Sequence, residues 1–422
     1  MARLDDILAS HVAQGADTAD RLLGAAFAVL NNDGKIIYKG SSGRADIPLD
    51  AAPYDADAPT LIMSLTKLIT ATAVLQVVER GLITLEEDVR PLLPDLAKLQ
   101  LLRGFSESGE AILEENNKPI TLRYVSAWFI SRVRITDASG SHLLTHTSGL
   151  CYDLMIPDVM KWSASVGRKG NNLAWSIEGF STPLIFPPGE GWMYGSSIDW
   201  AGQVLEKVTK TKLGTYLDEH IFSPLGMTST TFWPHARADL KDRLAVTTFR
   251  PVNENGDGEP LIAVPNPAPV EHEIESGGAG LYSTLSDYTK FVSAVMRGDR
   301  ILFQKDGTRE LLFAPQLNDQ QRTSMEKVVD ELRNAFAPDL PPGTPIDFGF
   351  GGMINTADVA GRRKKGSIMW SGYANAHWWI DRASGVAGVL FVTVLRDPPG
   401  DPIAIKLYRE LEEAVYADVV KQ

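Results

Sequence analysis

The chain predicts an α+β fold, an antiparallel sheet flanked by helices and carrying an all-helical insertion. Three observations carry that reading. Strand-like runs bounded by turn residues occur near the start, at Ala25–Leu30 and Ile36–Gly40. They return near the end, at Gly366–Ile380 and Gly385–Leu395. Between them the apolar spacing is mostly helical. Strands at both ends with helices between place a discontinuous sheet domain at 1–62 and 270–422, and a mostly helical domain at 63–269. A length of 422 residues suits one large or two medium domains. Ligand sites concentrate in the cleft between two such parts.

Taken in order, residues 1–22 read as an amphipathic helix, and Asn31-Asn32-Asp33-Gly34 marks a hairpin. From Leu65 to Arg80 nearly every side is apolar, as in a helix at the centre of a fold, and Gly81 supplies its stop. Asp88–Leu102, Ser197–Lys210 and Leu213–Phe222 read as further helices. Asp381–Ser384 turns between the last strand runs, and Asp401–Val420 makes a closing helix.

Composition excludes several classes. At 44% apolar and 22% charged the chain is an ordinary globular one. A net charge of −12 disfavours nucleic acid, whose affinity comes from Lys and Arg on phosphates. No run is long enough to span a membrane, and acids at Asp5 and Asp6 interrupt any leader-like start. Cys151 is the one cysteine, which leaves no internal disulfide and no thiolate metal cluster. These features read as cytoplasmic.

Ser64 opens the central helix, and Lys67 follows three residues later. Positions three apart share a helical face. Burial weakens an amine's hold on its proton, and a neutral amine beside a hydroxyl activates it for attack. The helix N-terminus favours negative charge developing there. Ser64 is therefore the candidate nucleophile. Spacing alone is weak, since Ser324-Met325-Glu326-Lys327 repeats it by chance in a charged helix.

Two later stretches supply partners. Tyr194, in Trp192-Met193-Tyr194-Gly195-Ser196, follows the rigid loop Phe186-Pro187-Pro188-Gly189. A tyrosine near an ammonium becomes a better acid and can shuttle a proton. The alternative is an aromatic anchor at a helix start. The third stretch is Met369-Trp370-Ser371-Gly372-Tyr373, where Gly372 permits close backbone approach. The N–H groups of Tyr373 and Ser64 could then form an oxyanion hole. Its alternative is a strand kink.

This ordered set resembles the serine β-lactamase and penicillin-binding-protein superfamily, with its Ser-x-x-Lys, tyrosine and Lys-Thr-Gly-like motifs. Leu143–Leu150 and Ser276–Thr284 are similar to stretches of its class C and esterase branch. Met193-Tyr194-Gly195, Asp199–Gly202 and Arg362–Ser367 are similar to fungal members, a monacolin J transesterase and a statin-cleaving esterase. The resemblance implies a β-lactamase/transpeptidase-like fold and ping-pong acyl transfer. Ser64 would be acylated, Lys67 would be its base and Tyr194 the proton shuttle. The N–H groups of Ser64 and Tyr373 would form the oxyanion hole, beside a pocket of Trp370, Ser371, Gly372 and Ser196. It implies no cofactor and no metal. The implied partners are a small-molecule ester or thioester, an alcohol acceptor and an acyl carrier protein.

Two departures narrow the substrate. Trp370 stands where penicillin-active members carry a lysine, and Ser196 replaces their asparagine. Apolar esters or thioesters are therefore expected over β-lactams and cell-wall peptides, although Arg362–Lys365 could return positive charge to the rim. The alternatives are a β-lactamase or DD-peptidase-type hydrolase, and a non-catalytic binding protein of this fold. Intact Ser64, Lys67 and Tyr194 argue against the last. His142 and His146 have zinc-like spacing, but Leu143 stands where a His-Glu-x-x-His helix needs glutamate. Gly277, Gly278 and Gly280 read as a tight turn rather than a phosphate loop.

The segment 124–141 reads as an insertion. Removing it joins Ile120–Arg123 to His142–His146 in the form the family carries. Codons for Arg123–Val125, Thr136-Asp137 and Gly140-Ser141 can spell donor, branch and acceptor sites. The readings are a retained intron and a genuine lid elaboration.

Overall fold

The computed structural model describes residues 2–123, 143–397 and 399–420. Its frame is a seven-stranded sheet. The strands are β1 (Gly24–Leu30), β2 (Ile36–Gly43), β3 (Ile346–Phe348), β4 (Met353–Asn355), β5 (Ile368–Ser371), β6 (His377–Asp381) and β7 (Val386–Phe391). Their order across the sheet is β2-β1-β7-β6-β5-β4-β3, and every pair is antiparallel. β1 is buried along its whole length. Helices cover it on both faces. Trp379 of β6 meets Tyr408 at 5.7 Å between ring centroids, and Phe391 of β7 meets Tyr288 at 6.0 Å. Those tyrosines lie on the closing helix Pro402–Val415 and on the helix Leu285–Arg297.

Side chains alternate along each strand. Trp370 of β5 pairs with Trp378 of β6, so these two face away from Tyr408. Gly372 carries the strand end against the segment that leads into the central helix. A Cβ placed there would lie 2.9 Å from the Ile62 carbonyl oxygen. Only glycine permits that approach.

The central helix is Thr66–Glu79, with Thr66 through Val77 buried. Ser197–Thr209 packs against it. We propose the division into 1–62 with 270–422 and 63–269 on one ground: all seven strands of the large sheet come from the first part.

Several elements differ from expectation. Helix occupies Ala2–His11 rather than all of 1–22. Within 88–102 only Pro94–Ala97 is helical, and Gln100–Phe105 pairs with Ala111–Glu115 as a hairpin. Pro91 and Pro94 punctuate that segment too closely for a long helix. The run 366–380 splits into β5 and β6 at Gly372.

Most of the basic run 362–365 is paired with carboxylates, while Lys365 is exposed. Arg363 is fully buried between Asp339, at 2.5 Å, and Glu412, at 2.7 Å. Arg362 also pairs with Glu412, and Lys364 with Asp358. Two buried carboxylates require a cation more than the rim does.

His377 lies in the same region, its ring 4.3 Å from that of Tyr408. Burial is the largest influence on it and brings its pKa from 6.5 down to about 4. Between those values an unfolded chain takes up a proton that the folded chain refuses. Stability is therefore full above the unfolded value and declines as pH falls, by up to about 1.4 kcal/mol per pH unit for this residue. His377→Phe keeps the stack and removes the titration. Its loss of Tm between about pH 7 and about pH 5 is expected to be smaller than in the parent chain. Equal losses would assign the acid sensitivity to other groups.

The expected insertion 124–141 lies outside the described residues, as does His142. The flanking residues carry information. Leu143 N donates to Thr121 O at 3.0 Å, and Leu144 N donates to Leu122 O at 3.2 Å. With Arg123 joined directly to His142, both bonds would link residues i and i+4, the α-helical spacing. We propose that 124–141 interrupts one helical turn whose hydrogen bonds close without it. Deleting 124–141 is expected to keep the circular dichroism spectrum and a Tm equal or higher. Loss of cooperative unfolding would contradict this, and transcripts that all encode the segment would exclude a retained intron.

Candidate active site

The site begins with a strained backbone. Met63 adopts φ +47°, in the left-handed region that side chains avoid. Such strain persists where the surroundings over-determine it. Here Gly372 presses on Ile62, and Ile62 N donates to Leu281 O at 3.0 Å. Ser64 follows in the single 3₁₀ turn Met63–Leu65, which runs into the central helix. That turn leaves Ser64 partly exposed above a buried helix.

Lys67 is 1% exposed. Its Nζ lies 3.2 Å from Ser64 Oγ, 3.0 Å from Tyr152 OH and 2.7 Å from Gly278 O. Tyr194 is close in a different way, its ring centroid 4.5 Å from Nζ. An aromatic face attracts a cation at that separation. The Tyr194 hydroxyl accepts from the Trp370 indole N–H at 3.1 Å. The structure thus brings Ser64, Lys67, Tyr194 and Trp370 into one cluster. Phe336 and His146 complete the surround of Tyr194, with centroids 5.2 and 4.7 Å from its ring.

The other expected pocket residues make polar contacts with neighbouring carbonyls or lie at the surface. Ser196 is buried, and its Oγ donates to Phe180 O at 3.5 Å. Ser371 Oγ donates to Ala335 O at 2.9 Å. Tyr373 is exposed on the turn after Gly372. Ser324 Oγ bonds the Trp192 backbone and Lys327 is exposed, so that second Ser-x-x-Lys forms no pair.

Three contributors escaped sequence reasoning. Tyr152 immediately follows Cys151, the more conspicuous residue of the pair. Burial, then the charges of Asp199 and Tyr194, push its hydroxyl well above the usual tyrosine range, so it stays protonated. Its segment meets that of Tyr194 through Gly195, where a Cβ would fall 2.4 Å from Cys151 Cα. Gly278, expected only as part of a turn, supplies the carbonyl nearest Lys67. Asp199 fixes that carbonyl, its Oδ1 accepting from Ser276 Oγ at 2.5 Å and from Gly278 N at 2.9 Å. Burial raises its carboxyl, opposed by the Lys67 charge and by those two hydrogen bonds.

His146 shows what the zinc-like spacing conceals. It is fully buried among Trp192, Tyr194 and Phe348. Burial first, and the Lys67 charge second, hold its pKa well below the usual histidine value. It is a neutral ring wedged under Tyr194.

This fold and cluster define the class. The β-lactamase family matches residues 5–413, and the chain belongs to it. Its relatives sharpen the placement. The chain is 32% identical to ML-236A carboxylate methylbutanoyltransferase of Penicillium citrinum, over 94% of this chain and 90% of that one. It is 30% identical to lovastatin esterase of Penicillium rubens, over 93% and 94%. The solved structure of a simvastatin synthase mutant from Aspergillus terreus superposes with a TM-score of 0.85 at 30% identity, covering 100% of this chain and 98% of that one. The chain is thus an enzyme of the serine acyltransferase and esterase class.

Tyr152→Phe removes one oxygen from Lys67 and leaves the ring. Turnover of a p-nitrophenyl ester is expected to fall by about tenfold to a hundredfold through misplacement of the amine. Unchanged turnover would show that Ser64 and Gly278 suffice to hold it.

Proposed function

We propose that this enzyme transfers an apolar acyl group from an ester or thioester to an alcohol by way of an acyl-Ser64 intermediate. The observation that carries the reading is the environment of Lys67 Nζ. Gly278 O can only accept, and Tyr152 OH offers a lone pair, so both draw N–H groups of Lys67. Nζ also donates to Ser64 Oγ at 3.2 Å, and loss of that proton turns the nitrogen lone pair on the serine hydroxyl. That is the arrangement a general base needs.

In acylation the Ser64 oxygen bonds to the acyl carbon, and its proton passes to Lys67. The N–H groups of Ser64 and Tyr373 receive the charge on the acyl oxygen; one such donor is worth about 3–4 kcal/mol in the transition state. Tyr194 then gives its own proton to the departing oxygen or sulfur as the carbon–heteroatom bond breaks, and the proton held by Lys67 afterwards restores the Tyr194 hydroxyl. The Trp370 N–H stabilises the Tyr194 oxygen when it gives that proton up. An alcohol reverses the sequence and leaves with the acyl group, while water in its place gives hydrolysis.

Apolar donors follow from the walls. Trp370, Phe336 and Phe348 offer rings rather than a cation, and Arg362, Arg363 and Lys364 are tied to carboxylates. The relatives named for methylbutanoyl transfer to ML-236A carboxylate and for lovastatin ester cleavage support a methylbutanoyl-like acyl group and an acceptor of that kind. An acyl carrier protein as donor and a cytoplasmic location complete the reading.

Intact-mass analysis after treatment with a fluorophosphonate is expected to show one adduct on the parent chain and none on Ser64→Ala. Supplying a monacolin-like alcohol should then divert acyl groups from water to the alcohol. A folded chain that gives neither adduct nor ester turnover would support the binding-protein alternative instead.

A further inference from the structure

The turn beside the site carries more anchoring than its backbone needs. β5 and β6 are joined through Gly372–Ala376. Asn375 N donates to Gly372 O at 2.8 Å, and Gly372 N donates to Ala376 O at 2.8 Å. That is the pattern of a three-residue hairpin loop, a turn closed by one left-handed residue. Asn375 fills the left-handed place with φ +62°. Glycine would satisfy that backbone at least cost, and asparagine tolerates it.

The asparagine side chain adds something further. It is 4% exposed, and both of its ends are engaged. Nδ2 donates to Val394 O at 2.7 Å, and Oδ1 accepts from Asp401 N at 2.9 Å. Asp401 is itself immobilised. Its Oδ1 caps the closing helix through Ile403 N and Ala404 N, and its Oδ2 accepts from buried Arg250 at 2.5 Å. Arg250 in turn reaches the carbonyls of Thr18, Ala19 and Arg21. The turn is thereby tied to three distant parts of the chain, while Tyr373 at its tip is 38% exposed.

We propose that Asn375 is a positioning residue for acyl transfer, fixing the turn that presents the Tyr373 N–H to the acyl oxygen. Donors to a developing oxyanion act through preorganisation, so a turn free to drift loses their effect. The inference rests on the reading above, in which Tyr373 N–H is the second donor.

Asn375→Gly tests it, because the backbone conformation is kept and both side-chain bonds are lost. On p-nitrophenyl butyrate, kcat is expected to fall about tenfold or more, with KM within about twofold. Affinity for an alkyl boronic acid, which forms a tetrahedral adduct on Ser64 Oγ, should fall by the same factor, and affinity for butyrate should not. Asn375→Asp retains an acceptor for Asp401 N–H and loses the donor to Val394 O. It should lie between the other two and gives the answer if the glycine variant does not fold. Parent-like kcat and boronate affinity in a folded variant overturn the proposal. So does a fall in Tm and kcat that leaves boronate affinity intact, since that is a structural role alone. Absence of Ser64-dependent turnover in the parent chain overturns the underlying acyl-transfer reading instead.

Discussion

Taking a primary amine out of water costs several kcal/mol unless its hydrogens find acceptors. Lys67 meets that demand with oxygens from three separate parts of the chain, at positions 64, 152 and 278. None of those partners is stable alone. The Ser64 turn depends on Gly372 coming up against Ile62, the Tyr152 segment on Gly195, and the Gly278 carbonyl on Asp199. The sheet part and the helical part therefore meet at one nitrogen, and its position reports on whether both are correctly assembled.

The surroundings turn that constraint into chemistry. Tyr194 presents its ring to the amine and its oxygen to Trp370, so one residue both shields Lys67 from water and offers a protic group at the pocket wall. His146, Phe336 and Phe348 exclude water behind it. A dry aromatic wall strengthens the electrostatic interactions inside it, and it suits an acyl chain better than a carboxylate-bearing ring system.

Much of this was legible in the sequence, and the reasons for the remainder are physical. Ser64, Lys67, Tyr194 and Trp370 stand in motifs whose order is itself a signal, and the N-terminal hairpin and the central helix follow from turn chemistry and apolar spacing. Tyr152 gave no comparable signal and Asp199 entered only within the stretch Asp199–Gly202, because each acts through a contact made only after folding. Tyr152 was hidden beside a more conspicuous cysteine, and Asp199 inside a helix start that needed no explanation. Arg362 and Arg363 misled because sequence shows charge but not the buried carboxylates, Asp339 and Glu412, that claim them. The run 366–380 concealed a turn because Asn375 does the work usually signalled by glycine.

The most direct measurement is a crystal structure of the chain carrying a phosphonate on Ser64. Two outcomes are expected together: Lys67 Nζ still bonded to Gly278 O and Tyr152 OH, and the phosphonyl oxygen about 2.7–3.1 Å from both Ser64 N and Tyr373 N. A phosphonyl oxygen turned away from Tyr373, or an amine swung out to solvent, would contradict the account.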